Sequence, residues 1–412
     1  MKRTGDLKLI QELNRSIVLD TIRRYGPISR SEIAKKNELS PTTVTSAVQD
    51  LIRERLVNEN GTGLSSGGRK PILLQFSPDN HYLIGVSISY SKITIADMNL
   101  EAKINQKNVY LTNGYTNEHL IEYLLELLHG FLTERKDNRI CVGISIITQG
   151  IVDAYQGIIH HNPKLQLNNV YLKNIVENRL ELPTWLDNDT NAYVLAEKNF
   201  GLYQEYKNMV YITIGGDGLG AGIIVNDSLA RGVKGGSGEF GHTTININGK
   251  PCECGNKGCL ENYVSWPSIH ERLITAIKNG KNTLLTDLSN GKNESILPEH
   301  FTQAINAGDE LANEVLNEVS FYLAAGLVNL VHLFNPDIII LGGEITNNNK
   351  LLFNRLSHLV EDRSLKTLYK DVNIKIASLG EEFEMIGAAS VLLQDKFQFK
   401  LTHDEIRLNR ST

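Results

Sequence analysis

The sequence predicts an α/β protein in which a small helical module closed by a hairpin precedes two α/β halves. Three observations predict it. Helical periodicity punctuated by capping residues runs through roughly the first 55 residues. From about residue 80 apolar strands alternate with helical stretches, the pattern of layered α/β folds. Each half opens on a strand, a tight turn and a returning strand: HYLIGVSISYSKITIADM from His81 and NMVYITIGGDGLGAGIIV from Asn208.

The chain has 412 residues, too many for one ordinary core, and 41% hydrophobic with 22% charged residues marks a globular protein. The expected domains are 1–75, 80–195 and 196–395, with the last helix returning to the first lobe. No run of about 18 apolar residues occurs, so no membrane span is expected. MKRTGDLKLI lacks the apolar core of a signal peptide, and the expected compartment is the cytosol. The net charge of −5 hides an asymmetry. Residues 1–70 hold 13 Lys/Arg against 8 Asp/Glu, and the remainder 29 against 39. A basic module on an acidic body directs attention to nucleic acid.

Within that module Leu13, Ile17, Val18, Ile22 and Tyr25 recur at helical spacing, and Gly26-Pro27 ends the helix. Ser29 with Glu32 forms an S-x-x-E capping box that starts a second helix. Ser40, followed by Pro41, starts a third. Its buried stripe is Val44, Val48, Leu51 and Ile52, which leaves Thr42, Thr43, Thr45, Ser46 and Gln49 outside. With Ser40 at the helix end, this short hydroxyl- and amide-bearing set suits insertion into a DNA major groove. LVNENGTGLSSGGRKPILLQF then reads as strand, glycine-rich tip and strand, a wing that carries Arg69 and Lys70 on a thin backbone able to enter the minor groove. The module is a winged helix-turn-helix.

In the body, RICVGISIITQGIVD, PTWLDNDTNAY and NPDIIILGGEI mark further apolar strands ending in glycines or in the Asp187–Asn188–Asp189 junction. Two such halves suggest a duplicated fold with a cleft between them. Three of the four cysteines fall within eight residues, as C-x-C-x4-C, ten positions after a histidine. Cys252, Cys254, Cys259 and His242 supply the four soft or borderline ligands of a tetrahedral Zn²⁺ site with no open position, hence a structural one. Gly255 and Gly258 let the backbone wrap round an ion. Cys141, in an apolar strand, reads as a small hydrophobe.

GEFGH followed by CECGNKGCLE resembles the signature of the ROK family, which groups bacterial sugar-responsive repressors and sugar kinases. GGRKP after a winged helix resembles the repressor branch, and DNDTNA, GDGLGAGII and NPDIIILGG resemble the family's other landmarks in order. The resemblance spans nearly the whole chain and implies a two-lobed actin/hexokinase-like α/β fold. It also implies a sugar site. Asn188 and Asp189 match the Asn-Asp pair that binds sugar hydroxyls, the Asp being the base in the kinases. Glu239 and His242 match E-x-G-H, and Glu261 matches the glutamate after the third cysteine. Carboxylates and amides satisfy vicinal hydroxyls bidentately, which agrees with that assignment.

The resulting expectation is a repressor of carbohydrate genes. It binds double-stranded operator DNA as a homodimer or dimer of dimers and responds to a monosaccharide or sugar phosphate between the lobes. Two other readings share the framework: a sugar kinase that kept its DNA-binding module, and a regulator controlled by a protein partner. Phosphoryl transfer is not expected. Where the kinases carry an Asp-x-Gly-Gly-Thr-like turn for phosphate, this chain has Ser87, Ser89 and Tyr90. The glycine turns at Gly216–Gly220 and Gly342-Gly343 fit tight hairpins as well as a nucleotide role.

Overall fold

The computed structural model describes residues 7–63, 70–134, 138–215 and 218–397. The N-terminal module is set by two serine caps. Helix α1 (Leu7–Tyr25) precedes strand β1 (Ile28–Ser29). Ser29 Oγ accepts the Glu32 amide while the Glu32 carboxylate accepts the Ser29 amide at 2.9 Å, a reciprocal box that opens α2 (Arg30–Asn37). Glu38 turns the chain in the left-handed region (φ 53°). Ser40 then caps α3 (Pro41–Arg53) by accepting the Thr43 amide at 3.1 Å. Strands β2 (Val57–Thr62) and β3 (Ile72–Phe76) complete a three-stranded sheet with β1, in the order β1-β3-β2. The wing tip, with Arg69, lies outside the described residues. Helical spacing places Tyr25 in the buried stripe of α1, yet it is 51% exposed, with Lys36 Nζ 3.8 Å from its ring centroid.

The first lobe holds β4 (His81–Ile88), β5 (Lys92–Met98), β6 (Ile104–Leu111), α4 (Asn117–Thr133), β7 (Ile140–Thr148), β8 (Ile151–Asp153), β9 (Ile158–Asn162), β10 (Leu167–Val170), α5 (Leu172–Leu180) and β11 (Thr184–Asn188). Its main sheet has the order β11-β7-β4-β5-β6, and β10-β9-β8 form a small separate sheet. Helix α6 (Asp189–Phe200) leads to the second lobe. There the elements are β12 (Met209–Gly215), β13 (Gly218–Val225), β14 (Ser228–Leu229), α7 (Glu261–Val264), α8 (Trp266–Lys278), α9 (Leu284–Leu288), α10 (Pro298–Asn306), α11 (Glu310–Phe334), β15 (Ile338–Gly342), α12 (Lys350–Arg363), α13 (Lys366–Tyr369), β16 (Asn373–Ile376) and α14 (Phe383–Phe397). Its sheet order is β14-β13-β12-β15-β16.

The two five-stranded sheets are the same design. Each begins with an antiparallel meander and adds two parallel strands beside its first strand. The helix that follows each last strand crosses over. Helix α6 packs on β13 and β12 of the second sheet, α14 packs on β4 and β7 of the first, and the two helices pack on each other. Small residues permit this: a Cβ on Gly387 would lie 3.3 Å from Ala192, and one on Gly222 would lie 2.1 Å from the Thr190 carbonyl oxygen. The boundary that the sequence places between residues 195 and 196 falls inside α6. Among the described residues α11 is long and apolar enough to cross a membrane by length and composition. Here it forms the core of the second lobe, burying Leu316, Val319, Leu323, Leu327 and Val331.

The winged module does not hang from a free linker. Ile22, Leu51, Leu56, Leu74 and Phe76 share one core with Leu83 and Met98 of the first sheet and with Leu392, Leu393 and Phe397 of α14. His81 sits at this seam, 6% exposed, and its Nδ1 has no hydrogen-bond partner among the described residues. Burial, then the cations of Arg55 and Lys396, hold its pKa below the ordinary histidine value, against a backbone hydrogen bond with Glu54. A histidine depressed by folding takes its proton first in the unfolded chain. Its contribution to stability is complete above about pH 6.5 and declines as the pH falls below that value. Thermal midpoints measured from pH 8 to pH 5 are expected to fall less steeply in His81→Gln than in the parent. Parallel slopes would remove His81 as the cause.

Candidate effector cleft and DNA-reading face

The cysteine loop is anchored at its end by Leu260, fully buried with Phe240 in the second-lobe core. Gly255 (φ 89°) and Gly258 (φ 69°) turn the backbone where other residues are strained, and a Cβ on Gly258 would lie 1.7 Å from the Asn246 carbonyl oxygen. This folding brings the ligand atoms of His242, Cys252, Cys254 and Cys259 within 4.8 Å of one another. His242 Nδ1 lies 3.7 Å from Cys252 Sγ, and Cys254 Sγ lies 3.6 Å from Cys259 Sγ. Three sulfurs and one imidazole nitrogen around one point are a donor set for a tetrahedral metal ion. Burial, then the neighbouring Cys252 and Cys254, pushes the Cys259 thiol up to about 12.

The other ring nitrogen of this histidine faces Glu239. His242 Nε2 is 3.8 Å from Glu239 Oε2. Glu261 opens α7 directly after the loop, and its Oε2 accepts the Leu219 amide at 3.2 Å. A Cβ on Gly218 (φ 134°) would lie 2.7 Å from that oxygen, so a side chain there is strained and displaces the carboxylate. The Glu239 side chain is 43% exposed. Burial raises its pKa, Glu261 adds to the rise and His242 opposes it. Glu239, His242 and Glu261 therefore form one corner.

Asn188 and Asp189 come from the first lobe. Asn188 caps α6: its Oδ1 accepts the amides of Thr190 (2.9 Å) and Asn191 (3.3 Å), and its Nδ2 donates to the Gly150 carbonyl (3.0 Å). Asp189 is the first residue of α6, and its Oδ1 accepts the Thr190 amide at 2.8 Å. Strand β13 joins the two corners. Gly218 lies beneath Glu261, and Gly220 and Gly222 lie beneath Thr190. A cleft of about 760 Å³ is lined by Ile151, His160 and Asn169 of the first lobe and by Gly232, Val233, Lys234, Gly236 and Ser237 of the second; Asn188, Asp189, Glu239, His242 and Glu261 are not among its lining.

On the N-terminal module Ser40, Thr42, Thr45, Ser46 and Gln49 are exposed and Thr43 is half-buried. They are not equivalent. Ser40 Oγ lies 2.8 Å from both Thr42 Oγ1 and Thr43 Oγ1, and Thr45 Oγ1 donates to the Pro41 carbonyl at 2.7 Å. Ser46 and Gln49 make no such bond among the described residues. Much of the module's positive charge is also spent internally, on Arg15–Glu54, Arg24–Asp20, Arg30–Glu59 and Arg53–Asp50 pairs. Lys70, at the base of the wing, is exposed.

The family model for ROK matches residues 83–395. The chain belongs to the ROK family. It is 32% identical over 397 residues to a xylose repressor of Caldicellulosiruptor bescii, covering 96% of this chain and 99% of that one. It is 30% identical over 389 residues to the N-acetylglucosamine repressor of Escherichia coli O157:H7, covering 94% of each. Among solved structures it is similar to a ROK family transcriptional regulator described as a homolog of the E. coli MLC protein, with TM-score 0.85, 30% identity, and coverage of 95% and 97%. A ROK family glucokinase from Streptomyces griseus, crystallised with glucose and AMPPNP, is similar at TM-score 0.64 and 27% identity, covering 75% of this chain and 98% of its own.

The hairpin in which ROK resemblance predicts a phosphate turn is closed on itself here. Ser87 is 6% exposed in β4, the Ser89 amide and Oγ both donate to the Lys92 carbonyl (2.9 and 3.1 Å), and Tyr90 is half exposed. Gly342 and Gly343 are explained by packing. A Cβ on the first would lie 2.0 Å from Tyr211 Oη, and one on the second 2.4 Å from the Ile214 carbonyl oxygen. Gly216 lies outside the described residues.

Two residues beside the Asn188–Asp189 corner have little sequence signal. Asp187 is recognisable only as part of DND, and Arg231 only as an arginine at the head of a glycine-rich run. The structure places the Arg231 guanidinium on Asp187 Oδ2, beside Asn188.

Proposed function

We propose that this ROK chain is a DNA-binding transcriptional repressor of carbohydrate genes, controlled by a monosaccharide or sugar phosphate seated between the lobes. The observation that carries this reading is one continuous packing path. The Asn188–Asp189 corner begins α6, α6 packs on α14, and α14 shares a core with the helix that presents Ser46 and Gln49. Asn188, Asp189, Glu239, His242 and Glu261 are the proposed effector contacts, and a change in lobe closure is the proposed signal. A pair of such modules reading two half-sites implies a homodimer or dimer of dimers in the cytoplasm.

The metal in this reading is zinc, held by His242, Cys252, Cys254 and Cys259. Zn–S bonds of about 2.3 Å and Zn–N bonds of about 2.1 Å in a tetrahedron give ligand–ligand edges of roughly 3.6–3.8 Å, and the His242–Cys252 and Cys254–Cys259 separations of 3.7 and 3.6 Å fit them. Four protein donors leave the ion a structural role: it fixes the loop that delivers Glu261 and orients His242 toward Glu239.

The test combines DNA selected from a random library with a sugar panel. The panel holds D-xylose, D-glucose, N-acetylglucosamine and their phosphate esters. One of them at 100 times its dissociation constant is expected to stabilise the protein by about 2.7 kcal/mol and to change its affinity for the selected DNA. A panel with neither effect overturns the reading. On the DNA side, Gln49→Ala is expected to relax preference at one base pair by about 1–3 kcal/mol, whereas Lys70→Ala weakens all sequences alike and lowers the salt slope by about 0.9. Binding isotherms on single-base variants across salt concentrations separate the two.

A further inference from the structure

We propose that Arg231 is a positioning residue, an interlobe latch that sets the effector corner through Asp187 and links its geometry to lobe closure. The inference rests on the effector reading above only for the identity of what the corner binds. Asp187 is the next-to-last residue of β11 in the first lobe and its side chain is fully buried. A carboxylate so placed must have its oxygens filled by donors. Oδ1 accepts the Asn188 amide at 2.8 Å and Asn191 Nδ2 at 3.0 Å. Oδ2 accepts the Arg231 guanidinium, which arrives from the other lobe, just past β14. One carboxylate thus holds the backbone of the Asn188–Asp189 turn with one oxygen and the second lobe with the other.

The segment that carries Arg231 is seated on the first lobe by a second contact. Gly235 has φ 74°, and a Cβ there would lie 1.7 Å from the Val152 carbonyl oxygen of β8. Ser237, whose amide donates to the Arg231 carbonyl at 3.1 Å, is two residues from Glu239. Arg231 Nε is buried and has no hydrogen-bond partner among the described residues. The guanidinium therefore has donor capacity left while one end is committed to Asp187. Opening the lobes parts Arg231 from Asp187, leaves a buried carboxylate with one empty oxygen, and frees the turn that presents Asn188 and Asp189. Closure and a correctly built corner are then one event, and a ligand that needs the corner favours the closed lobes.

Hydrogen exchange on the effector-free full chain tests the latch without any ligand. Arg231→Met is expected to speed exchange both in 187–191, where β11 runs into α6, and in 231–237 past β14, and Arg231→Lys to recover much of the protection. Faster exchange confined to 231–237 overturns the latch. The second arm uses D-xylose and N-acetylglucosamine. For whichever the parent binds, Arg231→Met is expected to weaken affinity about tenfold, through faster dissociation. The double variant Asp187→Asn with Arg231→Met removes both charges. It is expected to regain the parent's thermal midpoint while its sugar affinity stays low. Recovery of both, or unchanged affinity in Arg231→Met, overturns the proposal. A parent that binds neither of these two leaves the exchange result to decide the latch, and the effector reading stands or falls on the full panel.

Discussion

Cys254→Ser is expected to leave the purified chain without its metal and without any response to effector, while its winged module still binds DNA. Cys254 is the exposed member of the set, on a turn between Cys252 and Gly255, so the substitution removes a ligand without opening a core. Apart from backbone pairings such as Thr244 with Cys259 and Pro251 with Lys257, the loop it closes has little apolar packing to hold it. Between Thr243 and Cys259 no residue belongs to the buried hydrophobic core, and Ile247 is 85% exposed. Structural zinc contributes apparent binding free energy on the order of 10–16 kcal/mol in small zinc modules, and a loop that depends on it loosens when one of four ligands is lost. Two things follow at the cleft. Glu261 loses the rigid segment before it, and His242 loses the partner that aims Nε2 at Glu239. The winged module packs elsewhere, on the first sheet and α14, which is why DNA binding survives. Metal analysis of protein purified without chelators, expected to give about one zinc per subunit for the parent and far less for the variant, checks the first claim. Metal-free parent protein, or a variant that keeps both metal and response, would sink the assignment.

That loop was the most legible part of the chain, because cysteine spacing carries chemistry that needs no knowledge of the fold. The helix caps were equally plain. Ser29, Glu32 and Ser40 act on amides three residues away, so local sequence is sufficient to find them. The duplicated sheets were visible as paired hairpins and apolar strands, but the exchange of α6 and α14 between lobes was not. It depends on Gly222 meeting Thr190 and Gly387 meeting Ala192, contacts across long stretches of sequence. Charge is legible in sum but not in placement. The excess of Lys and Arg in the first 70 residues suggests a basic surface, yet several of those arginines pair with acids of the same module. Asn188 shows a third kind of gap. Its match to a sugar-binding motif hides that both ends of its amide are already engaged, one capping α6 and one holding Gly150. Arg231 had no signal at all until β11 and the loop after β14 were brought together.

Asp189→Asn and Glu239→Gln are expected to hold the repressor on DNA at sugar concentrations that release the parent. Each keeps the shape of the side chain and removes a charge, so what is lost is the charge-assisted part of a hydrogen bond to a sugar hydroxyl, on the order of 1.5–3 kcal/mol, or roughly 10- to 150-fold in effector affinity. The two differ in what they do to the ligand-free protein. Asp189 is the first residue of α6, where a negative charge favours the helix by about 0.3–1 kcal/mol, so its amide variant melts slightly lower. Glu239 is already held above its usual pKa by burial and by Glu261, and a neutral side chain there relieves both effects. Glu239→Gln is therefore expected to melt no lower than the parent even as it stops responding. Loss of response without loss of stability separates a ligand contact from a structural one. Titrating DNA release against sugar concentration, with thermal midpoints of the same samples, provides both numbers. If either variant releases DNA along the parent's curve, that residue does not touch the effector.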